Sequence, residues 1–212
     1  MTRGSFITLE GGEGVGKSTQ LPLLAAALQA RGLDVIVTRE PGGSPGAEDI
    51  RNLILSGDKD RWDMRTEAML FAAARADHLR ATIRPALERG TWILCDRFID
   101  SNRAYQGAAG ELGDTFILAL HELGSEGFMP DRTLVLDLPD DVIGVRAAER
   151  DQGQESDRIG GRTLNYHRRV AQAFREFSAQ DPARVRLIDA GGAREDVTSR
   201  LLGAISDLLC AN

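Results

Sequence analysis

Apolar residues fall into five short runs separated by longer stretches with helical spacing. The first run is Phe6, Ile7, Thr8 and Leu9; the others are Asp34–Thr38 (DVIVT), Thr91–Cys95 (TWILC), Arg132–Leu138 (RTLVLDL) and Val185–Asp189 (VRLID). Each is rich in β-branched and aliphatic residues and is bounded by glycine, proline or charge, which predicts buried strands. Between them the period changes. Leu21, Leu24, Ala25 and Leu28 recur at helical spacing up to Gly32. Ala47–Leu55 predicts a helix that buries Ile50, Leu53 and Ile54. Thr66–Glu88 predicts a long one that buries Ala68, Met69, Ala72 and Leu79; Gly90 ends it, and Pro85 either kinks it or begins a new segment. Gly57–Asp63 reads as a loop and Ser101–Gln106 as a short helix or loop. Asp114–Leu123 carries an apolar set of Phe116, Ile117, Leu120 and Leu123. Pro139 with Asp140 and Asp141 opens a helix holding Val142, Val145 and Ala148; Leu164–Ser178 and Val197–Leu209 follow as helices.

Strands alternating with helices, each strand a near-continuous apolar run, predict an α/β protein: a five-stranded parallel sheet with helices on both faces. No repeat, low-complexity segment or linker divides the chain. The expectation is one domain over residues 1–212, with the polar stretch at about 149–162 as a short mobile lid.

One strand–helix junction changes this picture from architecture to chemistry. Gly11-Gly12-Glu13-Gly14-Val15-Gly16-Lys17-Ser18 fits G-x-x-x-x-G-K-[ST], the phosphate-binding loop, and Thr19 continues it. Its glycines let several backbone N–H groups point at one spot, and the following helix adds the positive end of its dipole there. Lys17 supplies a charge for β- and γ-phosphates, and the Ser18 hydroxyl can ligate Mg²⁺. The fold is therefore expected to be that of the P-loop NTPases, with ATP or a related triphosphate as ligand. Ligands of an open parallel sheet sit beyond the C-terminal strand ends. Those ends carry Glu10, Arg39 with Glu40, Asp96 with Arg97, and Asp137. Asp96 stands where a carboxylate ligand for Mg²⁺ belongs.

Composition narrows the partners. Twenty-six Lys and Arg against 32 Asp and Glu give a net charge of -6, which argues against a nucleic-acid polymer as partner. No apolar run is long enough to span a membrane. Residues 1–5 lead straight into the first strand, so no signal peptide is expected. The 2 cysteines, Cys95 and Cys210, form neither a metal spacing nor a disulfide framework, which suits a reducing cytoplasm. A GTPase of the common kind needs an Asn-Lys-x-Asp guanine reader, and no asparagine here precedes a lysine.

Several segments together resemble the bacterial thymidylate kinases over nearly the whole length: GGEGVGKST, TREPGG (38–43), TEAMLFAAARADH (66–78), DRFIDSNRAYQG (96–107), LDLPDD (136–141) and DRIGGR (157–162). The resemblance implies transfer of the ATP γ-phosphoryl group to dTMP, giving dTDP, with Mg²⁺ as cofactor and a homodimer as the common assembly. It implies that Lys17 and the loop Gly11–Thr19 hold the donor phosphates, and that Ser18 and Asp96 hold Mg²⁺. It places Glu13 near the acceptor's sugar and phosphate, and Arg39 and Arg97 on the acceptor phosphate. Phe71 stacks on thymine, Arg75 reaches the base one turn later, and Asn102, Tyr105 and Gln106 line the nucleoside pocket. Gly14 follows Glu13 where some members of the family have arginine, so the charge for phosphoryl transfer falls to the lid, with Arg150 and Arg158 as candidates and Arg146 and Arg162 behind them. DRIGG departs from the commoner acidic continuation, which leaves the choice of lid arginine open. Another nucleotide kinase on the same fold is the rival reading; it would differ in the pocket of Phe71, Arg75, Asn102 and Tyr105.

Overall fold

The structure, a computed structural model, describes residues 3–58, 60–139 and 158–210. Its strands are β1 (Phe6–Glu10), β2 (Val35–Arg39), β3 (Trp92–Asp96), β4 (Arg132–Asp137) and β5 (Val185–Asp189). They form one sheet in the order β2-β3-β1-β4-β5, with every neighbouring pair parallel. The central position of β1 puts the glycine-rich loop in the middle of the C-terminal edge.

Alternation along the inner strands divides the core. Ile7 and Leu9 of β1, Leu94 of β3, and Leu134 and Leu136 of β4 face one side. There they meet Leu24 and Leu28 of α1 (Lys17–Gln29), and Val197 and Leu201 of the helix Arg194–Ala204. Phe6, Ile93 and Cys95 face the other side, against Ala68 of α3 (Met64–His78) and Ile117 of α6 (Asp114–Ser125). α2 is Pro45–Leu55, α4 is Arg84–Glu88 and α5 is Ile99–Asn102. Val135 and Val185 extend this second face under α7 (Leu164–Gln180), whose Val170, Phe174 and Phe177 cover them. Burying such side chains stabilises by about 1.5–3 kcal/mol each.

The differences from the sequence reading have simple causes. The edge strands β2 and β5 are not continuously buried: Val37 is 46% exposed and Leu187 44%. An edge strand lacks one neighbour and its flanking cover, so its apolar run is only half used. The long helix at 66–88 is α3, a wider π turn at Leu79–Ile83, and α4, with Pro85 as the second residue of α4, directly after the π turn. A second π turn, Arg103–Ala109, follows α5. The last helix ends at Ala204 and a short α9 (Ser206–Cys210) follows it, so the 194–204 segment is α8. Three residues expected in the core lie outside it: Leu53 is 43% exposed, Met69 50% and Leu123 85%. Ala72 is half-buried. A period count along one helix cannot tell which apolar positions a neighbouring element covers. The helix expected to carry Val142, Val145 and Ala148, and most of the lid, lie outside the described residues.

Candidate active site

The site begins where β1 ends. Gly11 has φ +129, and a Cβ there would lie 2.4 Å from the Leu136 carbonyl oxygen of β4, so only glycine fits this turn. The loop then reaches α1 through Gly16 in the left-handed region. Lys17 is folded onto its own loop, and its Nζ donates to the carbonyls of Gly11 at 3.1 Å and Gly12 at 2.7 Å. Burial, with the nearby Arg97 charge second, pulls its ammonium down to about 7. Ser18 and Thr19 are exposed at the start of α1.

Beside the loop, β3 delivers Asp96 and Arg97. Arg97 is one of the non-glycine residues with positive φ, at 71°. Strain of this kind persists only where surrounding bonds over-determine it. Here Arg97 Nη1 donates to the Gly11 carbonyl and to Ser101 Oγ, both at 3.1 Å, and Nη2 donates to the Tyr105 hydroxyl at 3.1 Å. The guanidinium also lies 5.0 Å from the Tyr105 ring centroid. Asp96 Oδ1 is buried and, among the described residues, has no hydrogen-bond partner. A carboxylate oxygen left open beside a hydroxyl-bearing phosphate loop fits a hard divalent cation that keeps several of its ligands from water and phosphate.

Glu10, which the sequence places at this edge as a charged group, is instead fully buried. It accepts from the Phe98 N–H at 2.7 Å and from Ser101 Oγ at 2.5 Å, pinning the chain that follows Arg97. Burial, with Asp100 adding to it, raises its carboxyl to about 8. Glu40 is likewise buried, holding Arg75 Nε at 2.9 Å and His78 Nδ1 at 3.1 Å. Asp137 accepts Arg175 Nε at 2.8 Å. Strand-end carboxylates here therefore divide into framework and ligand candidates, a division that spacing along the chain does not reveal.

A cleft opens next to the loop. Glu13, Arg39, Phe71, Arg75, Arg97, Asn102, Tyr105 and Gln106 all line it, as does Asp96. Glu40, which the sequence places at this edge without a role in the cleft, completes the wall together with Pro41, Arg51, Leu55, Phe98, Ser101 and Ile159, none of which was expected there. The Arg-Glu-Pro-Gly-Gly turn was the available signal for the first two. Phe71 is half-buried and packs against the apolar cluster under α7. Arg75 is buried across the Phe98 ring at 5.0 Å and donates to Asn102 Oδ1. The Arg39 guanidinium is held by Glu48, with Nη2 donating to its carboxylate at 3.1 Å, and the side chain is half exposed. Gly160 stands against Glu13: a Cβ at this position would lie 3.0 Å from a Glu13 carboxylate oxygen. Arg158 is seated on Glu67 and donates from Nε to the Ile54 carbonyl at 3.0 Å. Arg150 and Arg146 lie outside the described residues.

A parallel sheet of this order, with a glycine-rich phosphate loop after its central strand and a second polar cleft beside it, is the architecture of a P-loop nucleotide kinase. The relatives are more specific. A family model described as thymidylate kinase matches residues 9–201. A thymidylate kinase of Rhizorhabdus wittichii is 60% identical over 206 residues, covering 97% of this chain and 99% of that protein. One of Bradyrhizobium diazoefficiens is 47% identical, covering 98% and 91% respectively. The crystal structure of thymidylate kinase from Ehrlichia chaffeensis superposes with a TM-score of 0.76 at 30% identity, covering 96% of this chain and 99% of that one. The chain belongs to the thymidylate kinase family.

Proposed function

We propose that the chain phosphorylates dTMP to dTDP with ATP as donor, using the phosphate loop for the donor and the adjoining cleft for the acceptor. The observation that carries this assignment of roles is the convergence of Glu13, Arg39, Phe71, Arg75, Arg97, Asn102, Tyr105 and Gln106 on one cleft beside the loop. They come from four separate stretches of sequence, and a structural role alone gives them no reason to meet.

The loop amides and Lys17 hold the donor phosphates, and the negative charge of a triphosphate acts on the Lys17 ammonium in the direction opposite to burial. Ser18 and Asp96 hold Mg²⁺; the open Asp96 oxygen supports this. When bound, Mg²⁺ neutralises charge on the phosphate oxygens. Arg97 is already oriented by three hydrogen bonds, so gripping the acceptor phosphate costs little further ordering. Arg39 joins it from β2. Phe71 offers a flat apolar surface to thymine, and Arg75 and Asn102 offer donors to its carbonyl edge. Glu13 lies between acceptor and loop. The acceptor phosphate is already a good nucleophile, so positioning and charge neutralisation carry the reaction without a side-chain general base. Arg150 and Arg158 are the arginines assigned to the transferring phosphoryl group. Arg158 would reach it by leaving Glu67.

The enzyme acts as a homodimer in the cytoplasm. Exposed Met69 on α3 and Leu123 on α6, two helices packed together, support a partner surface there. Among the described residues no helix is long and apolar enough to cross a membrane. Assaying dTMP, dUMP, dCMP, dGMP and AMP side by side with ATP tests the acceptor. dTMP should give the highest kcat/KM, with dUMP behind it by about 10–200-fold, the worth of one methyl in an apolar pocket. Any other acceptor ranking first overturns the assignment.

A further inference from the structure

The acceptor cleft and the segment at 158–162 share one buried carboxylate. Glu67, on α3, is fully buried. Its Oε1 accepts from Gln106 Nε2 at 2.8 Å and from Arg162 Nη2 at 2.9 Å. Its Oε2 accepts from Arg162 Nη2 at 2.8 Å and from Arg158 Nη2. All four bonds are charge-assisted or buried, the class that holds geometry most firmly. On the other side of Gln106 the row continues. Gln106 Oε1 accepts from Asn102 Nδ2 at 2.8 Å, Asn102 Oδ1 accepts from Arg75 Nη2, and Arg75 Nε is anchored by Glu40. From Arg75 Nη2 through the Asn102 and Gln106 amides, the donors run in one direction, toward Glu67. A carboxylate can only accept, so it fixes which end of the Gln106 amide faces it, and that choice fixes the Asn102 amide in turn. The same carboxylate anchors Arg158 and Arg162, which flank Ile159 on the cleft wall and Gly160 against Glu13. Arg162 also donates to the Tyr166 hydroxyl at 2.6 Å, and that hydroxyl donates to the Tyr105 carbonyl at 2.6 Å.

The geometry points to Glu67 as a positioning residue: it sets the direction of the amides that read the acceptor and holds the 158–162 segment in register with them. This rests on the assignment of the cleft to the acceptor base. It follows that a change at Arg162, which does not line the cleft, alters acceptor recognition.

The test uses the full-length chain and steady-state kinetics with dTMP and ATP varied separately. Arg162→Met leaves Arg158 to neutralise Glu67, so it avoids stranding a buried charge. Loss of both bonds that Arg162 Nη2 makes to the shared carboxylate should raise the dTMP KM about tenfold. The ATP KM should move less than about twofold in the same variant. Gln106→Met should raise the dTMP KM as well, and the double variant should fall well short of the product of the two effects, because both act through one group. Glu67→Asp should keep part of the function that Glu67→Gln loses. If Glu67→Gln does not fold, the Arg162 and Gln106 variants carry the test, with thermal melts confirming that each is native. Effects that multiply, an unchanged dTMP KM in Arg162→Met, or equal rises in both KM values would overturn the proposal; equal rises are what general loosening produces. Phe71→Ala and Arg75→Met separate the two levels of inference. If they leave the dTMP KM unchanged, the cleft assignment itself fails. If they raise it while Arg162→Met does not, only the role of Glu67 fails.

Discussion

Asp100 offers a measurable link between the sheet and the site. It is fully buried on α5, immediately before Ser101 and Asn102 of the cleft. Its Oδ1 accepts from Arg103 Nη1 at 2.8 Å and Arg184 Nη2 at 3.2 Å; its Oδ2 accepts from Arg184 Nη1 at 2.6 Å and Thr133 Oγ1 at 2.8 Å. Thr133 in turn meets Thr8 across the β1–β4 ladder at 3.1 Å. Burial pushes the Asp100 carboxyl up, but the bonds and charges of Arg184 and Arg103 outweigh it and the net shift is downward. Asp100→Asn keeps the shape, removes the charge, and turns an N–H₂ group toward one of the arginines. Breaking a buried pair by removing one partner costs about 3–5 kcal/mol. For a chain of this size each kcal/mol moves the melting temperature by about 2–4 °C, so the variant should melt roughly 6–20 °C lower at pH 7.

The pH dependence gives that figure a second handle. A carboxyl whose folded pKa is depressed contributes stability that is complete above its unfolded pKa of about 3.9. That contribution is lost as pH falls through the folded value. The gap between wild type and Asp100→Asn should therefore be constant from pH 7 down to about 5 and narrow below about 4. Differential scanning calorimetry of both proteins across that range reads it directly. Melting temperatures within about 2 °C of each other at pH 7 would show that the four bonds contribute almost nothing net. A gap that stays constant into acid would show that charge is not their source.

Lys17→Ala should lower turnover by orders of magnitude while the far-UV circular dichroism and melting temperature stay near wild type; near-normal turnover would refute the phosphate assignment. Arg150→Ala should lower kcat by about 10³-fold or more with a smaller change in the dTMP KM if it is the arginine that meets the transferring group. Arg158→Ala, by contrast, should also lower the melting temperature, because it removes one of the two guanidiniums from buried Glu67. A change confined to KM in both would make the lid a binding cover.

Much of the fold could be read from the sequence because its signals are local. Strand-length apolar runs, helical periods and the glycine loop each lie within about twenty residues, and their alternation leaves few topologies. The eight residues proposed for the acceptor lie in the family segments, and all of them line one cleft. Exposure was less legible. Leu123 and Met69 carry the same apolar signature as Ile117 and Ala68, and only the seating of α3 and α6 on the sheet decides which of them is covered.

Polar framework was the least legible, for a reason that bears on reading any such site. Glu10, Glu40, Glu67 and Asp100 look like surface or ligand carboxylates in a linear sequence. Each is instead a buried acceptor whose donors come from distant segments: Phe98 and Ser101 for Glu10, Arg75 and His78 for Glu40, Arg158 and Arg162 for Glu67, Arg184 for Asp100. A buried carboxylate is tolerated only when such partners satisfy it, so its presence is a property of tertiary structure that no local pattern encodes. Asp96 departs from the rule, with one buried oxygen that finds no protein donor among the described residues. That contrast sets Asp96 apart from the four carboxylates that hold the frame and supports the cation role proposed for it.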